Sequence, residues 1–100
     1  MRIYFQQMGG FAGLRRSVTL ESQDLDEAEM QVLLAEIEQA NFFDLPDRLE
    51  SLMGEVDRFE YHITVAWQEQ EHSVVVSESV IPDSLRPLVE HLELLMRTRR

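Results

Sequence analysis

Cysteine and lysine are both missing from these 100 residues. Without cysteine there is neither a disulfide framework nor a thiolate metal cluster, so stability has to come from packing, as suits a reducing compartment. All nine basic residues are arginines, set against 19 acids, for a net charge of −10. A surface of that sign repels phosphate backbones, which removes the term that supplies most nucleic-acid affinity. Long apolar runs are missing too. Aliphatic runs such as Val74, Val75 and Val76 are far short of the roughly 20 residues that span a bilayer. The opening "MRIYFQQMGG" has no apolar stretch of signal-peptide length. The expectation is a cytoplasmic protein with no nucleic-acid and no membrane partner. Its length and 44% apolar content predict one domain over residues 1–100, hiding roughly 65% of its unfolded surface.

What is present is periodic. Ile3 and Phe5 alternate with Arg2, Tyr4 and Gln6, and Leu14, Val18 and Leu20 alternate with Arg15, Ser17 and Thr19. Two such runs around a glycine-rich connection predict a β-hairpin. Next, "DLDE" at residues 24–27 has the form of a capping box, with Asp24 as N-cap. Met30, Leu33, Leu34 and Ile37 then mark one helical face, with the end near Asn41. Phe42, Phe43 and Leu45 are expected to fold back onto the core. From Pro46 to Asp57 no period is sustained, apart from an expected short helical turn over residues 49–53. Phe59, Tyr61, Ile63, Val65 and Trp67 form the clearest strand, returning through "QEQE" to His72, Val74 and Val76. A last helix carries Leu85, Leu88, Val89, Leu92, Leu95 and Met96 on one face. Asp83 or Ser84 is its expected cap, and Pro87 sits in the first turn, where a missing N–H costs least. The predicted class is α+β: a four-stranded antiparallel sheet with two helices packed on one face, in the order β-β-α-β-β-α.

Catalytic chemistry is sparse. His62, His72 and His91 are the only histidines, and none has carboxylate partners at metal-motif spacing. "EHS" at residues 71–73 cannot form a triad locally, because adjacent strand residues face opposite ways. No enzyme activity, metal or cofactor is expected. Glu27, Glu29, Glu36, Glu38, Glu90 and Glu93 read as solvated helix faces, and Trp67 as a core or edge aromatic. The basic "RTRR" at the C-terminus complements a helix dipole.

The segment "GGFAGLRR" (residues 9–16) stands apart. Gly9, Gly10 and Gly13 fall within five positions and flank Phe11 and Ala12. Phosphate loops lead into a helix and often carry a lysine; this one leads into a strand. Two readings remain open. Phe11 folds back over the sheet edge of a wide hairpin, or the loop presents it as an anchor for a partner's pocket.

Together with "ANFFDLP" (40–46), "DRFEYHITV" (57–65), "HSVVVSE" (72–78) and "LRPLVEHL" (85–92), this segment resembles the emfourin family, small cytoplasmic inhibitors of protealysin-like proteases. Those enzymes belong to the thermolysin-like zinc peptidases. Residues 49–55 depart most from the family pattern. The resemblance implies a monomeric inhibitor of a bacterial thermolysin-like metalloprotease, with the zinc belonging to the enzyme's HExxH site. Under that resemblance the expected partner-binding residues are Gly9, Gly10, Phe11, Ala12, Gly13 and Leu14 of the loop, with Arg15, Arg16 and Glu78 added by the expected topology. Phe11 suits a pocket for a bulky apolar residue after the scissile bond, with Leu14 as the alternative. Only one of Arg15 and Arg16 can face the rim easily. Glu78 reads first as a solvated loop carboxylate, with the catalytic zinc or a protease arginine as the alternative it would face. The topology expected from the hairpin brings the glycine loop, the helix end near Asn41 with part of the 41–57 segment, and the turn at residues 77–81 to one end. The competing class is a non-catalytic adaptor that docks without inhibiting a protease.

Overall fold

Apolar alternation builds the sheet, and the sheet fixes everything else. The computed structural model describes residues 1–9, 13–50 and 59–99. Strands β1 (Arg2–Gly9) and β2 (Leu14–Glu21) pair antiparallel in unbroken register, from Arg2 opposite Glu21 to Gly9 opposite Leu14. Helix α1 follows (Glu27–Gln39), then the two-residue strand β3 (Arg48–Leu49). Strands β4 (Phe59–Trp67) and β5 (Gln70–Ser77) form a second hairpin, and α2 (Arg86–Thr98) closes the chain. β1 also pairs antiparallel with β4, so the two hairpins join into one sheet of order β2-β1-β4-β5-β3.

Ile3, Phe5, Leu20, Tyr61, Ile63, Val65, Val74 and Val76 are buried and share one face of the sheet. They form a single cluster with Leu33 and Ile37 of α1 and with Leu88, Val89, Leu92, Leu95 and Met96 of α2. The alternate residues Tyr4, Gln6, Thr64 and Ser73 are half-buried or exposed. Both helices therefore lie on one face, as the pattern predicts. Burying the larger of these side chains stabilises by about 1.5–3 kcal/mol each before entropy is charged.

The sheet departs from expectation in having five strands, mixed rather than all antiparallel. The added strand β3 runs parallel to β5, with Arg48 opposite Val75 and Leu49 opposite Val76. The Val75 N–H donates to the Asp47 carbonyl at 2.8 Å and anchors the approach. Two residues are too few to show alternation, so the pairing comes from tertiary contact. Leu49 thus begins no helical turn and Glu50 after it is irregular; residues 51–53 of that expected turn lie outside the described residues.

The helix caps also differ. Asp26, not Asp24, caps α1, accepting from the Glu29 N–H at 2.7 Å. Asp24 instead accepts from the Glu21 N–H at 3.0 Å inside a short 3₁₀ turn, Ser22–Asp24. Neither Asp83 nor Ser84 caps α2; Leu85 occupies that position without a side-chain bond. Residues 82–85 form a turn in which Leu85 and Arg86 both donate to the Pro82 carbonyl. Phe42 is buried, and Phe43 and Leu45 pack against the core behind it.

Candidate functional site

Register places the ends of three strands together. Gly9 stands opposite both Leu14 and Phe59, and Glu60 stands opposite Ser77. The glycine hairpin, the start of β4 and the turn after β5 therefore share one end of the sheet, as expected. Arg48 reaches the same end, 2.6 Å from Glu50 and 3.8 Å from Glu60. Asn41 does not. It lies at the far end with Leu34, Ile37, Glu38, Phe42, Phe43 and half-buried Trp67, around a cleft of about 400 Å³. The expected direction of α1 relative to the strands is the error: the end of the helix meets the β4–β5 turn rather than the glycine hairpin.

At the hairpin, Gly9 and Gly13 take φ values of 106° and 62°, which side chains rarely adopt. A Cβ built on Gly13 would meet nothing within 4 Å, so glycine serves the backbone angle there and not close packing. Gly10, Phe11 and Ala12 lie outside the described residues. Along the helix-facing side of β2, burial grows with distance from the tip. Leu14 is 54% exposed and Arg16 exposed, Val18 is half-buried, and Leu20 is buried. The helices stop short of this end and leave Leu14 and Arg16 uncovered.

The two arginines diverge, as strand alternation requires. Arg15 lies across from Met8 on the face without helices, and Arg16 lies across from Gln7 on the helix face. Among the described residues neither has a carboxylate within ion-pair reach.

Glu78 is not a freely solvated loop acid. It sits half-buried in a 3₁₀ turn (Glu78–Val80), with Oε2 3.5 Å from the Tyr61 hydroxyl. The same hydroxyl lies 3.4 Å from Glu93 Oε1 on α2 and accepts from Gln7 Nε2 of β1 at 3.4 Å. One phenolic proton thus serves two carboxylates, and it can be donated to only one at a time. Tyr61 itself is 2% exposed and stacks on Phe5 with ring centroids 5.6 Å apart. Burial first, then the nearby Glu93 carboxylate, pushes the phenol up from 10.0 to about 12. Sequence reading treats Tyr61 only as a strand residue. The available signal is a tyrosine in an apolar register, whose hydroxyl must find a partner when buried.

The histidines are dispersed. His62 lies 3.0 Å from Glu60 on the open sheet face. His72 faces the other way, its Nε2 2.7 Å from the Leu45 carbonyl and its ring edge-on to Phe42. His91 Nδ1 lies 2.7 Å from Glu36 Oε1 and joins α2 to α1. Among the described residues no three His, Cys, Asp or Glu side chains converge as metal ligands, and no helix is long and apolar enough to cross a membrane. Arg99 does more than complement a dipole. It donates to the Asp24 carbonyl at 2.9 Å and to Glu29 at 2.7 Å, tying the end of α2 to the start of α1.

No curated protein and no solved structure matches the chain. The Emfourin family model matches residues 5–93, a span that takes in the hairpin end, Tyr61, Glu78 and Glu93. On that match, nearly the whole folded length of the chain, the protein belongs to the Emfourin family.

Proposed function

We propose that this protein inhibits thermolysin-like, protealysin-type zinc metalloproteases by seating its glycine hairpin, Gly9 to Gly13, in the active-site cleft. The observation that carries the reading is the Emfourin match over residues 5–93, which implies a metalloprotease-inhibitor role. The geometry agrees with it: the helices leave Leu14 and Arg16 uncovered, and Leu14 beside the tip is 54% exposed. The catalytic zinc belongs to the enzyme, and this chain supplies no cofactor. Phe11 is the anchor for the pocket that takes a bulky apolar side chain, with Leu14 beside it. Arg15, Arg16 and Glu78 border the tip, and Glu78 is held toward the helix side by Tyr61. The inhibitor acts as a cytoplasmic monomer.

The energetic logic is pre-organisation. A loop held at both ends by strands loses less entropy on docking than a free peptide, and a desolvated aromatic supplies the central binding energy. Gly10 and Ala12, having no bulk beside Phe11, let the backbone approach the cleft closely.

The test is a peptidase assay against a thermolysin-like endopeptidase, with a serine protease as control. The protein is expected to block the first and spare the second. Phe11→Ala is expected to weaken inhibition about 30-fold or more, equivalent to about 2 kcal/mol, at an unchanged melting temperature. Inhibition of neither enzyme would shift the reading to an adaptor. A lowered melting temperature with full inhibition would make Phe11 structural.

A further inference from the structure

The strand that descends from the hairpin tip has an unused side. In the order β2-β1-β4-β5-β3, β1 is paired on both sides, while among the described residues no strand pairs with the outer side of β2. All eight residues of β2 hold regular register on β1 with no bulge, and the strand contains no proline. Bulges and prolines are among the devices that stop a sheet edge from accepting another strand. The opposite edge is different, because β3 already pairs with Val75 and Val76 there.

The charge on this edge is selective. The chain carries 19 acids and nine arginines, so an arginine on the sheet has acids in abundance to pair with. Arg2 takes Glu71 at 3.7 Å, and Arg48 takes Glu50 at 2.6 Å. Arg15 and Arg16 are exposed, adjacent and without a carboxylate in reach among the described residues. They project to opposite faces of the sheet. A strand laid against β2 presents its own consecutive side chains to those same two faces, so acids at neighbouring positions would satisfy both arginines at once.

Resting on the inhibitor reading, we infer that the outer edge of β2 is a strand-addition site for an extended, acidic segment of the target protease bordering the cleft that takes the hairpin. Main-chain hydrogen bonds along β2 supply affinity, and Arg15 and Arg16 supply the choice of partner. Continuity enforces the placement: Arg15 is two residues beyond Gly13, so whatever wall flanks the cleft meets this edge.

Amide hydrogen exchange on the full chain, free and bound to the thermolysin-like endopeptidase of the assay above, tests this. The outward amides between Arg15 and Thr19 are expected to exchange freely in the free protein and to gain protection in the complex. The double variant R15E/R16E is expected to associate about tenfold more slowly, with a flatter salt dependence and an unchanged melting temperature. An inhibited complex without new protection in β2 overturns strand addition and leaves the inhibitor reading standing. Protection that already rises with concentration in the free protein assigns the edge to a second copy, and also overturns it. Absence of any inhibition removes the inhibitor reading and this inference together.

Discussion

Replacing Tyr61 by phenylalanine should weaken the fold at a pH of about 9 and strengthen it, relative to the parent, above about pH 11. The stack on Phe5, 5.6 Å between centroids and 16° between planes, needs only the ring, so the substitution deletes the hydroxyl and keeps the packing. Its contacts with Gln7, Glu93 and Glu78 are 3.4, 3.4 and 3.5 Å. Bonds of that length are at the weak end, and losing them costs about 1 kcal/mol. Ionisation works the other way. A phenolate here would be poorly hydrated and would face Glu93 and Glu78, which is why the folded value rises from 10.0 to about 12. The unfolded chain releases this proton first as the pH rises. Its contribution is therefore complete below pH 10.0 and is lost on the way to about 12, at about 1.4 kcal/mol per pH unit. By about pH 11 the parent has lost about as much as the hydroxyl contributed, and the two stability curves cross. Urea unfolding of both proteins across this range measures the crossing. Tyrosinate absorbance in a Tyr4→Phe background reads the Tyr61 proton alone. Parallel stability profiles, or a Tyr61 midpoint near 10, would refute the reasoning.

Two further outcomes follow from local geometry. The β4–β5 turn places Gln68 and Glu69 at φ 50° and 66°, a conformation that normally calls for Asn-Gly; Glu69→Gly should raise stability by about 0.5–1 kcal/mol in chemical denaturation. Phe42 is 1% exposed and packs edge-on against Phe43 and His72; Phe42→Ala should cost about 3–5 kcal/mol, seen as a large drop in melting temperature.

Legibility tracked the length of the repeating signal. Nine residues of β4 alternate without a break, and its bounds, Phe59 and Trp67, are those of the sequence pattern. β3 has two residues and no pattern to read, so a four-stranded sheet became five. The capping error has a similar origin. Asp24-x-x-Glu27 and Asp26-x-x-Glu29 are equally good local signals. The Glu21 N–H bond to Asp24 uses up the first and leaves Asp26 for the helix. The direction of α1 across the sheet has no local signature at all. It is set by where Leu33 and Ile37 find apolar surface, and that put Asn41 beside Trp67 instead of the hairpin.

The candidate site divides along the same line. The glycines announce a bend in the backbone, and Gly9 and Gly13 do take positive φ. Strand alternation alone separates Arg15 from Arg16. Tyr61 is a different case, because its partners Glu78 and Glu93 lie 17 and 32 residues further along the chain. Only the fold brings them together, and what they do is mechanical. One hydroxyl joins β1, the turn after β5 and α2 just below the hairpin, where the helices no longer cover the sheet. On the proposed reading, a hairpin docks at low entropy cost only if its base is stiff. The Tyr61 hydroxyl links these three elements where the helical cover ends, two residues along the register from the paired Gly9 and Leu14.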